Sequence, residues 1–157
     1  MASVGERAPD FTLQDQDKMP VSLSDLRGRP LMLVFFPGAF SSTCTEELCA
    51  IRDDYAAYER RGVTVLGISV DSVHALRAWR NDQRYQHRFL SDRWPVGQVA
   101  KLFGVWNEQV GQADRATFII DAAGIVRYAV HNPSNQPRDE TAYVAALDAM
   151  GTLDRAS

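Results

Sequence analysis

Apolar residues along this chain recur in two alternating patterns, one typical of buried strands and one typical of amphipathic helices. Leu31–Phe36 is an uninterrupted apolar run and Val63–Val70 is rich in β-branched residues, which predicts two strands in a covered sheet. Between them, apolar side chains recur every three or four residues from Cys44 to Arg60, which predicts one helix that ends near Gly62. A strand–helix–strand unit predicts parallel pairing of the two strands.

The pattern after Val70 predicts three more helices, one short strand and one hairpin. The first helix is capped by Asp71 or Ser72, and a short strand follows at Phe89-Leu90. The next helix runs from Pro95 to Gly104 and directs three apolar side chains inward: Val99, Leu102 and Phe103. A hairpin of Ala116–Ile120 and Ile125–Val130 and a helix over Thr141–Met150 complete the chain. A parallel core followed by an antiparallel hairpin predicts an α/β fold, with a mixed central sheet and helices on both faces. No linker divides the chain, so we expect residues 1–157 to form one domain.

Composition and charge narrow the class of protein. The chain has 157 residues, 45% of them apolar, and a net charge of −3, which is ordinary for a globular protein and argues against general binding to nucleic acid or anionic membranes. The longest apolar run has six residues, whereas a membrane helix needs about 20. The first residues lack the basic-then-apolar order of a signal peptide, so we expect a cytoplasmic protein.

The candidate chemistry lies between Phe36 and Cys49. Pro37 ends the first predicted strand, and Cys44 falls in the first turn of the following helix. The thiolate is the reactive form of cysteine, and the unpaired N–H groups and positive dipole end of a helix start lower a thiol pKa. Ser41 can cap the helix or donate a hydrogen bond to the sulfur, while Pro37 excludes water and offers no competing N–H. Considered alone, a cysteine at a helix start is more commonly a small buried apolar residue.

The spacing of Pro37, Ser41 and Cys44 resembles the active-site motif of the peroxiredoxins, Pro-x-x-x-(Thr/Ser)-x-x-Cys. The resemblance covers roughly residues 4–150 and implies a thioredoxin-like fold, whose order of elements is the one predicted above. Four further segments carry it: Val4–Leu13 resembles the family's opening, Arg115–Asp121 resembles the strand that begins with its active-site arginine, and Ser91–Pro95 and Gly104–Gln109 resemble the alkyl hydroperoxide reductase E-like subgroup.

This resemblance implies a thiol-dependent peroxidase that needs no metal and no organic cofactor. The Cys44 thiolate would attack one oxygen of a hydroperoxide, forming a sulfenic acid and releasing water or an alcohol. Arg115 would lower the thiol pKa and stabilise the developing charge, although its pattern alone is more typical of a surface ion pair. Ser41 and the backbone N–H groups of Thr43 and Cys44 would hold the peroxide, and Glu47 would anchor the arginine.

Cys49 follows Cys44 by five residues, a spacing that resembles the Q-type peroxiredoxins related to bacterioferritin comigratory protein. In that group the second cysteine resolves the sulfenic acid as an intramolecular disulfide. On an ideal helix the two Cα atoms lie roughly 8–9 Å apart, whereas a disulfide rarely spans more than about 7 Å. Resolution by Cys49 therefore requires the first turns of the helix to unwind. The alternative is a one-cysteine peroxidase resolved by an external thiol, with Cys49 as a packing residue.

Two other groups of residues have competing interpretations. The three histidines lie in unrelated segments without zinc-ligand spacing, so we expect no metal site and interpret them as surface or structural residues: His74, His87 and His131. Three aromatic residues either shape an apolar pocket for an organic hydroperoxide or belong to the core or an interface: Phe40, Trp94 and Trp106.

Two rival functions remain open from the sequence. A disulfide reductase of the same fold is disfavoured because the chain lacks Cys-x-x-Cys, and a non-enzymatic interaction module would depend little on Cys44. The expected partners are a hydroperoxide and a thiol reductant, which is thioredoxin, a glutaredoxin-like protein or a small thiol. E-like members suggest a homodimer, whereas Q-type members are often monomers.

Overall fold

The computed structural model describes residues 2–132 and 140–156, and it describes their side chains except at 42–47, 132, 140 and 151–156. The strands in these residues are β1 (Thr12–Asp15), β2 (Pro20–Ser22), β3 (Leu31–Phe35), β4 (Thr64–Ser69), β5 (Arg88–Ser91), β6 (Trp106–Asn107), β7 (Gln112–Ala113), β8 (Arg115–Ile120) and β9 (Val126–Asn132). The helices are α1 (Ser42–Asp53), α2 (Tyr55–Arg60), α3 (Val73–Gln83), α4 (Gln98–Leu102) and α5 (Glu140–Ala156), with a 3-10 helix at Leu23–Leu26.

Seven strands form one mixed sheet in the order β2-β1-β5-β4-β3-β8-β9, and β6 pairs with β7 in a separate hairpin. The three central strands β3, β4 and β5 are parallel. β8 runs antiparallel to both β3 and β9, and β1 runs antiparallel to β5. This topology confirms the predicted α/β fold with a mixed sheet.

Each face of the sheet carries its own apolar core, which explains the uninterrupted apolar run of β3. Leu31, Leu33 and Phe35 belong to the core beneath α4 and the 3-10 helix. Met32 and Val34 point the other way, into the core beneath α1, α2, α3 and α5. Because successive strand side chains alternate between faces, a strand covered on both sides needs apolar residues at every position.

Three details of the predicted elements are wrong. The single helix predicted between Cys44 and Arg60 is interrupted at Asp54, which has φ −100° and ψ 13° and separates α1 from α2; aspartate is among the weaker helix formers. Pro95 precedes α4 rather than lying in it, and Leu102 is 53% exposed because α4 has only five residues. The short strands β1, β2, β6 and β7 were not predicted.

Among the described residues, no helix combines the length and the apolar character needed to cross a membrane.

His87 is a buried polar side chain within the core beneath α3. It is 2% exposed, and its ring lies 5.4 Å from the Tyr85 ring and 4.7 Å from the Phe89 ring, measured between centroids. Neither ring nitrogen has a hydrogen-bond partner among the described residues. Burial, with a smaller contribution from the charge of Arg80, lowers the pKa of His87 to about 3. The folded protein therefore holds this imidazole neutral.

We expect the free energy of unfolding to fall as the pH falls from about 6.5 towards about 3, because the unfolded chain protonates His87 in this window and the folded chain does not. The slope from one such group reaches about 1.4 kcal/mol per pH unit. Urea unfolding at several pH values measures it. His87→Leu should remove this part of the pH dependence, whereas His74→Leu, at an exposed position, should retain it. Equal slopes in wild type and His87→Leu would contradict the prediction.

Candidate active site

The carboxyl edge of the three parallel strands brings together the segments that the sequence singled out. β3 pairs in parallel with β4, so both strands end at this edge. β8 runs the other way, and the pairing of Phe35 with Ala116 places the start of β8 beside the end of β3. Arg115, the first residue of β8, therefore lies at the same edge as Pro37, which directly follows Phe36.

The loop at residues 37–41 is held at both ends. The Phe36 amide donates to the Ile68 carbonyl at 3.1 Å, which extends the β3–β4 pairing by one residue. The Ala39 amide donates to Asp71 Oδ2 at 2.8 Å. Phe40 has a positive φ of 66°, which is uncommon for an aromatic residue, and its ring lies 6.2 Å from the Trp79 ring. These contacts hold the loop that leads into α1.

Asp71 is a residue of this site that sequence reasoning missed. Its Oδ2 accepts a hydrogen bond from the Ser69 hydroxyl at 2.6 Å as well as from Ala39, and its own carbonyl accepts from the Ser91 hydroxyl at 2.6 Å. The sequence left the cap of α3 open between Asp71 and Ser72. Ser72 is the cap, since its hydroxyl accepts from the Ala75 amide at 3.2 Å. The carboxylate of Asp71 instead connects the end of β4 to the candidate active-site loop.

The residues of the predicted nucleophile segment lie at the start of α1. Ser41 is exposed and immediately precedes the helix, which begins at Ser42, so the backbone of Cys44 belongs to its first turn. The side chains of Thr43, Cys44 and Glu47 lie outside the described side chains.

Arg115 is 4% exposed, which rules out the surface ion pair that its sequence pattern favoured. The residue before it, Asp114, positions the start of β8. Asn107 Nδ2 donates to Asp114 Oδ1 at 3.1 Å, His131 Nε2 lies 2.9 Å from Asp114 Oδ2, and the Asp114 amide donates to the Val105 carbonyl at 2.8 Å. These contacts hold the start of β8, and with it the backbone of Arg115, at this edge of the sheet.

Cys49 lies in α1 on the side that faces α3. Its side chain is half-buried and packs against the core beneath the helices, and the cysteine is free. Its Sγ donates to Gln83 Oε1 at 3.5 Å and lies 3.7 Å from the Tyr85 hydroxyl. Cys44 and Cys49 both belong to α1, which is continuous from Ser42 to Asp53. Residues five apart on a helix are too distant from each other to form a disulfide.

The remaining candidates occupy separate places. Phe40 is 56% and Trp94 82% exposed, whereas Trp106 packs against the core with its ring 5.4 Å from Lys101 Nζ. Among the described side chains, no three His, Cys, Asp or Glu residues converge as ligands for a metal ion.

A mixed sheet of this order, with a cysteine-bearing helix starting at the carboxyl edge of its parallel strands, is a thioredoxin-like fold. Residues 4–129 match the model of the AhpC/TSA family. The chain is 40% identical over 151 residues to alkyl hydroperoxide reductase E of Mycobacterium tuberculosis, covering 96% of this chain and 99% of that protein. It is 38% identical over 136 residues to chloroplastic peroxiredoxin Q of Triticum aestivum, covering 86% of this chain and 61% of that protein.

The solved structure of peroxidoxin BcpB from Mycobacterium tuberculosis superposes with a TM-score of 0.85 at 32% identity, covering 95% of this chain and 98% of that chain. The chain belongs to the AhpC/TSA family of peroxiredoxins. It is therefore a thiol-dependent hydroperoxide reductase, which confirms the class of enzyme expected from the sequence.

We expect Asp71→Ala to slow peroxide consumption about tenfold or more, because the loop loses the acceptor that holds the Ala39 amide and a hydrogen bond to a charged group contributes about 1.5–3 kcal/mol. The measurement is the second-order rate constant for the reaction of peroxide with the reduced protein. Asp10→Ala is the matched control, because the Asp10 carboxylate also accepts two backbone amides, from Phe11 and Ser24, neither of which belongs to the loop at residues 37–41. An equal loss of rate in both variants would show that Asp71 affects only stability.

Proposed function

We propose that Cys44 is the nucleophile that reduces the hydroperoxide. What supports it is the position of its backbone in the first turn of α1, directly after a loop fixed by Asp71 and at the same sheet edge as the buried Arg115. The N–H groups of a first helical turn have no intrahelical acceptor, and the dipole is positive there. Both features stabilise a thiolate.

In the first step, the Cys44 thiolate attacks the terminal oxygen of the hydroperoxide. An S–O bond forms, the O–O bond breaks, and the departing oxygen takes a proton to leave as water or an alcohol. Arg115 stabilises the charge that moves onto the departing oxygen. Ser41 and the amide of Thr43 hold the peroxide in line with the sulfur, and Pro37 limits the access of water.

In the second step, the Cys49 thiol attacks the sulfenic sulfur of Cys44. The S–S bond forms, the S–O bond breaks, and water leaves with the thiol proton. Because both residues belong to one helix, α1 must open locally before this step. Glu47, in the same turns, is proposed to hold Arg115 rather than to react. The competing proposal is a one-cysteine cycle, in which an external thiol attacks Cys44 and Cys49 remains in place.

The cycle ends when a thiol reductant restores the two thiols. We propose thioredoxin, a glutaredoxin-like protein or a small thiol for this role, with the whole chain acting as one domain in the cytoplasm. For the oligomeric state we propose the homodimer that the E-like motif suggests, with the monomer of many Q-type members as the alternative.

We expect Cys44→Ser to abolish thiol-dependent peroxide reduction and Cys49→Ser to leave the first oxidation fast. Intact mass after one equivalent of peroxide is the measurement. Wild type should lose two hydrogens as the disulfide forms, whereas Cys49→Ser should gain one oxygen as a sulfenic acid and then further oxygens with excess peroxide.

Two results would overturn parts of this proposal. Substantial turnover in Cys44→Ser would exclude Cys44 as the nucleophile. A stable sulfenic acid in the wild type, with both cysteines unlinked, would exclude resolution by Cys49 and establish the one-cysteine cycle.

We expect Arg115→Met to slow the first oxidation by about 10²–10³, the typical effect of losing one preorganised charge-stabilising donor. The same substitution should raise the pKa of the Cys44 thiol, measured from the pH dependence of its alkylation. Arg127→Met is the matched control, since Arg127 lies on the neighbouring strand β9 and pairs with Asp121 at 2.7 Å. Unchanged rate and pKa in Arg115→Met would reduce Arg115 to a structural role.

A further inference from the structure

The end of α3 and the turn after it hold the helix that carries both cysteines. Cys49 Sγ donates to Gln83 Oε1 at 3.5 Å and lies 3.7 Å from the Tyr85 hydroxyl. One turn further along α1, Arg52 Nη1 donates to the Gln83 carbonyl at 2.7 Å. Gln83 therefore contacts α1 twice, through its side chain and through its backbone.

Tyr85 is a rigid partner in this arrangement. It is 3% exposed, and its ring lies 5.1 Å from Trp79 and 5.4 Å from Phe89 in edge-on packing. Its amide donates to the Arg80 carbonyl at 3.0 Å, which closes the end of α3. Because the ring is fixed by the core, the hydroxyl keeps its place whether α1 is formed or open.

We propose that Gln83 and Tyr85 restrain the Cys49 thiol in α1 and thereby set the rate at which the intramolecular disulfide forms. This inference rests on the proposed resolution by Cys49. Both residues contact Cys49, the cysteine of the second step, so they are positioning residues for that step.

The contacts of Cys49 with Gln83 and Tyr85 exist only while α1 is formed, and this is the source of the restraint. Cys49 must leave Gln83 and Tyr85 to bring its sulfur to the sulfenic sulfur of Cys44, since the intact helix keeps the two positions too far apart. The contacts therefore stabilise the closed form alone. Weakening them raises the population of the open form, and the disulfide forms faster.

The same restraint governs damage by excess peroxide. While α1 stays closed, the Cys44 sulfenic acid is exposed to a second hydroperoxide, which adds an oxygen to give the sulfinic acid and releases water or an alcohol. The rate of opening competes with this second oxidation. A weaker restraint on Cys49 should therefore make the enzyme more resistant to inactivation.

The test compares Tyr85→Phe and Gln83→Leu with wild type. Tyr143→Phe is the matched control, because Tyr143 is 1% exposed in the same core and its hydroxyl bonds to Thr117 Oγ1 at 3.0 Å rather than to Cys49. Rapid mixing with peroxide, acid quenching and intact-mass analysis give the rate of sulfenic acid formation, the rate of its conversion to disulfide and the peroxide concentration that gives half-maximal sulfinic acid.

Tyr85→Phe and Gln83→Leu should each raise the rate of disulfide formation about two- to fivefold, the effect of losing one modest hydrogen bond. The peroxide concentration for half-maximal sulfinic acid should rise by the same factor. The rate of sulfenic acid formation should stay at the wild-type value, and Tyr143→Phe should leave the rate of disulfide formation unchanged. Amide exchange across α1 in the reduced protein should quicken in the first two variants, a readout that does not depend on the disulfide.

The failures are distinguishable. If wild type forms no disulfide, resolution by Cys49 fails and the restraint fails with it. If every variant forms the disulfide at the wild-type rate, the restraint alone fails and resolution stands. A slower disulfide in Tyr85→Phe or Gln83→Leu would also overturn the inference, because it would show that these residues guide Cys49 towards Cys44.

Discussion

Packing around the fully buried Trp79 connects the loop before α1 to the residues that contact Cys49. Its ring lies within 6.2 Å of four others, measured between centroids: Phe36, Phe40, Tyr85 and Phe89. The first two belong to the end of the central strand and the active-site loop, and Tyr85 contacts the second cysteine. The rings come this close because Gly67 has no side chain; a Cβ there would lie 2.6 Å from the Phe89 ring. The loop and the restraint on Cys49 thus depend on one aromatic core.

The two proposed chemical steps make opposite demands on α1. The first step needs a formed helix, whose initial N–H groups and dipole stabilise the thiolate. The second needs the same turns to open. The buried side chains of Leu48 and Ile51 limit how far this opening can extend, since exposing one such side chain costs about 1.5–3 kcal/mol. Because Cys49 directly follows Leu48, moving Cys49 towards Cys44 works against the burial of the Leu48 side chain.

Local patterns in the sequence predicted the features that depend on neighbouring residues. The run Leu31–Phe36 showed a strand buried on both faces, and the spacing around Cys44 showed a helix start. Contacts between distant residues left no local pattern. Asp71 reaches Ala39 across 32 positions, and Cys49 reaches Tyr85 across 36. The first contact depends on the parallel pairing of β3 with β4, and the second on the packing of the end of α3 beside α1. For this reason the anchor of the loop and the proposed restraint on the thiol were not predicted.

Whether Cys49 resolves a sulfenic acid at the proposed nucleophile Cys44 depends on the rates of competing reactions rather than on spacing alone. The chain is 40% identical to an alkyl hydroperoxide reductase E and 38% identical to a peroxiredoxin Q, so overall similarity does not assign it to one of these groups alone. In the proposed cycle, opening of the helix must outpace attack on Cys44 by an external thiol and by a second peroxide, so the contacts that hold Cys49 affect the outcome. A Cys49 thiol with no polar contacts would move away from its position in α1 readily. A fully buried thiol would not reach the Cys44 sulfur. Cys49 is half-buried with two weak sulfur contacts, so in the proposed cycle a single substitution that removes one of them changes the rate at which the helix opens.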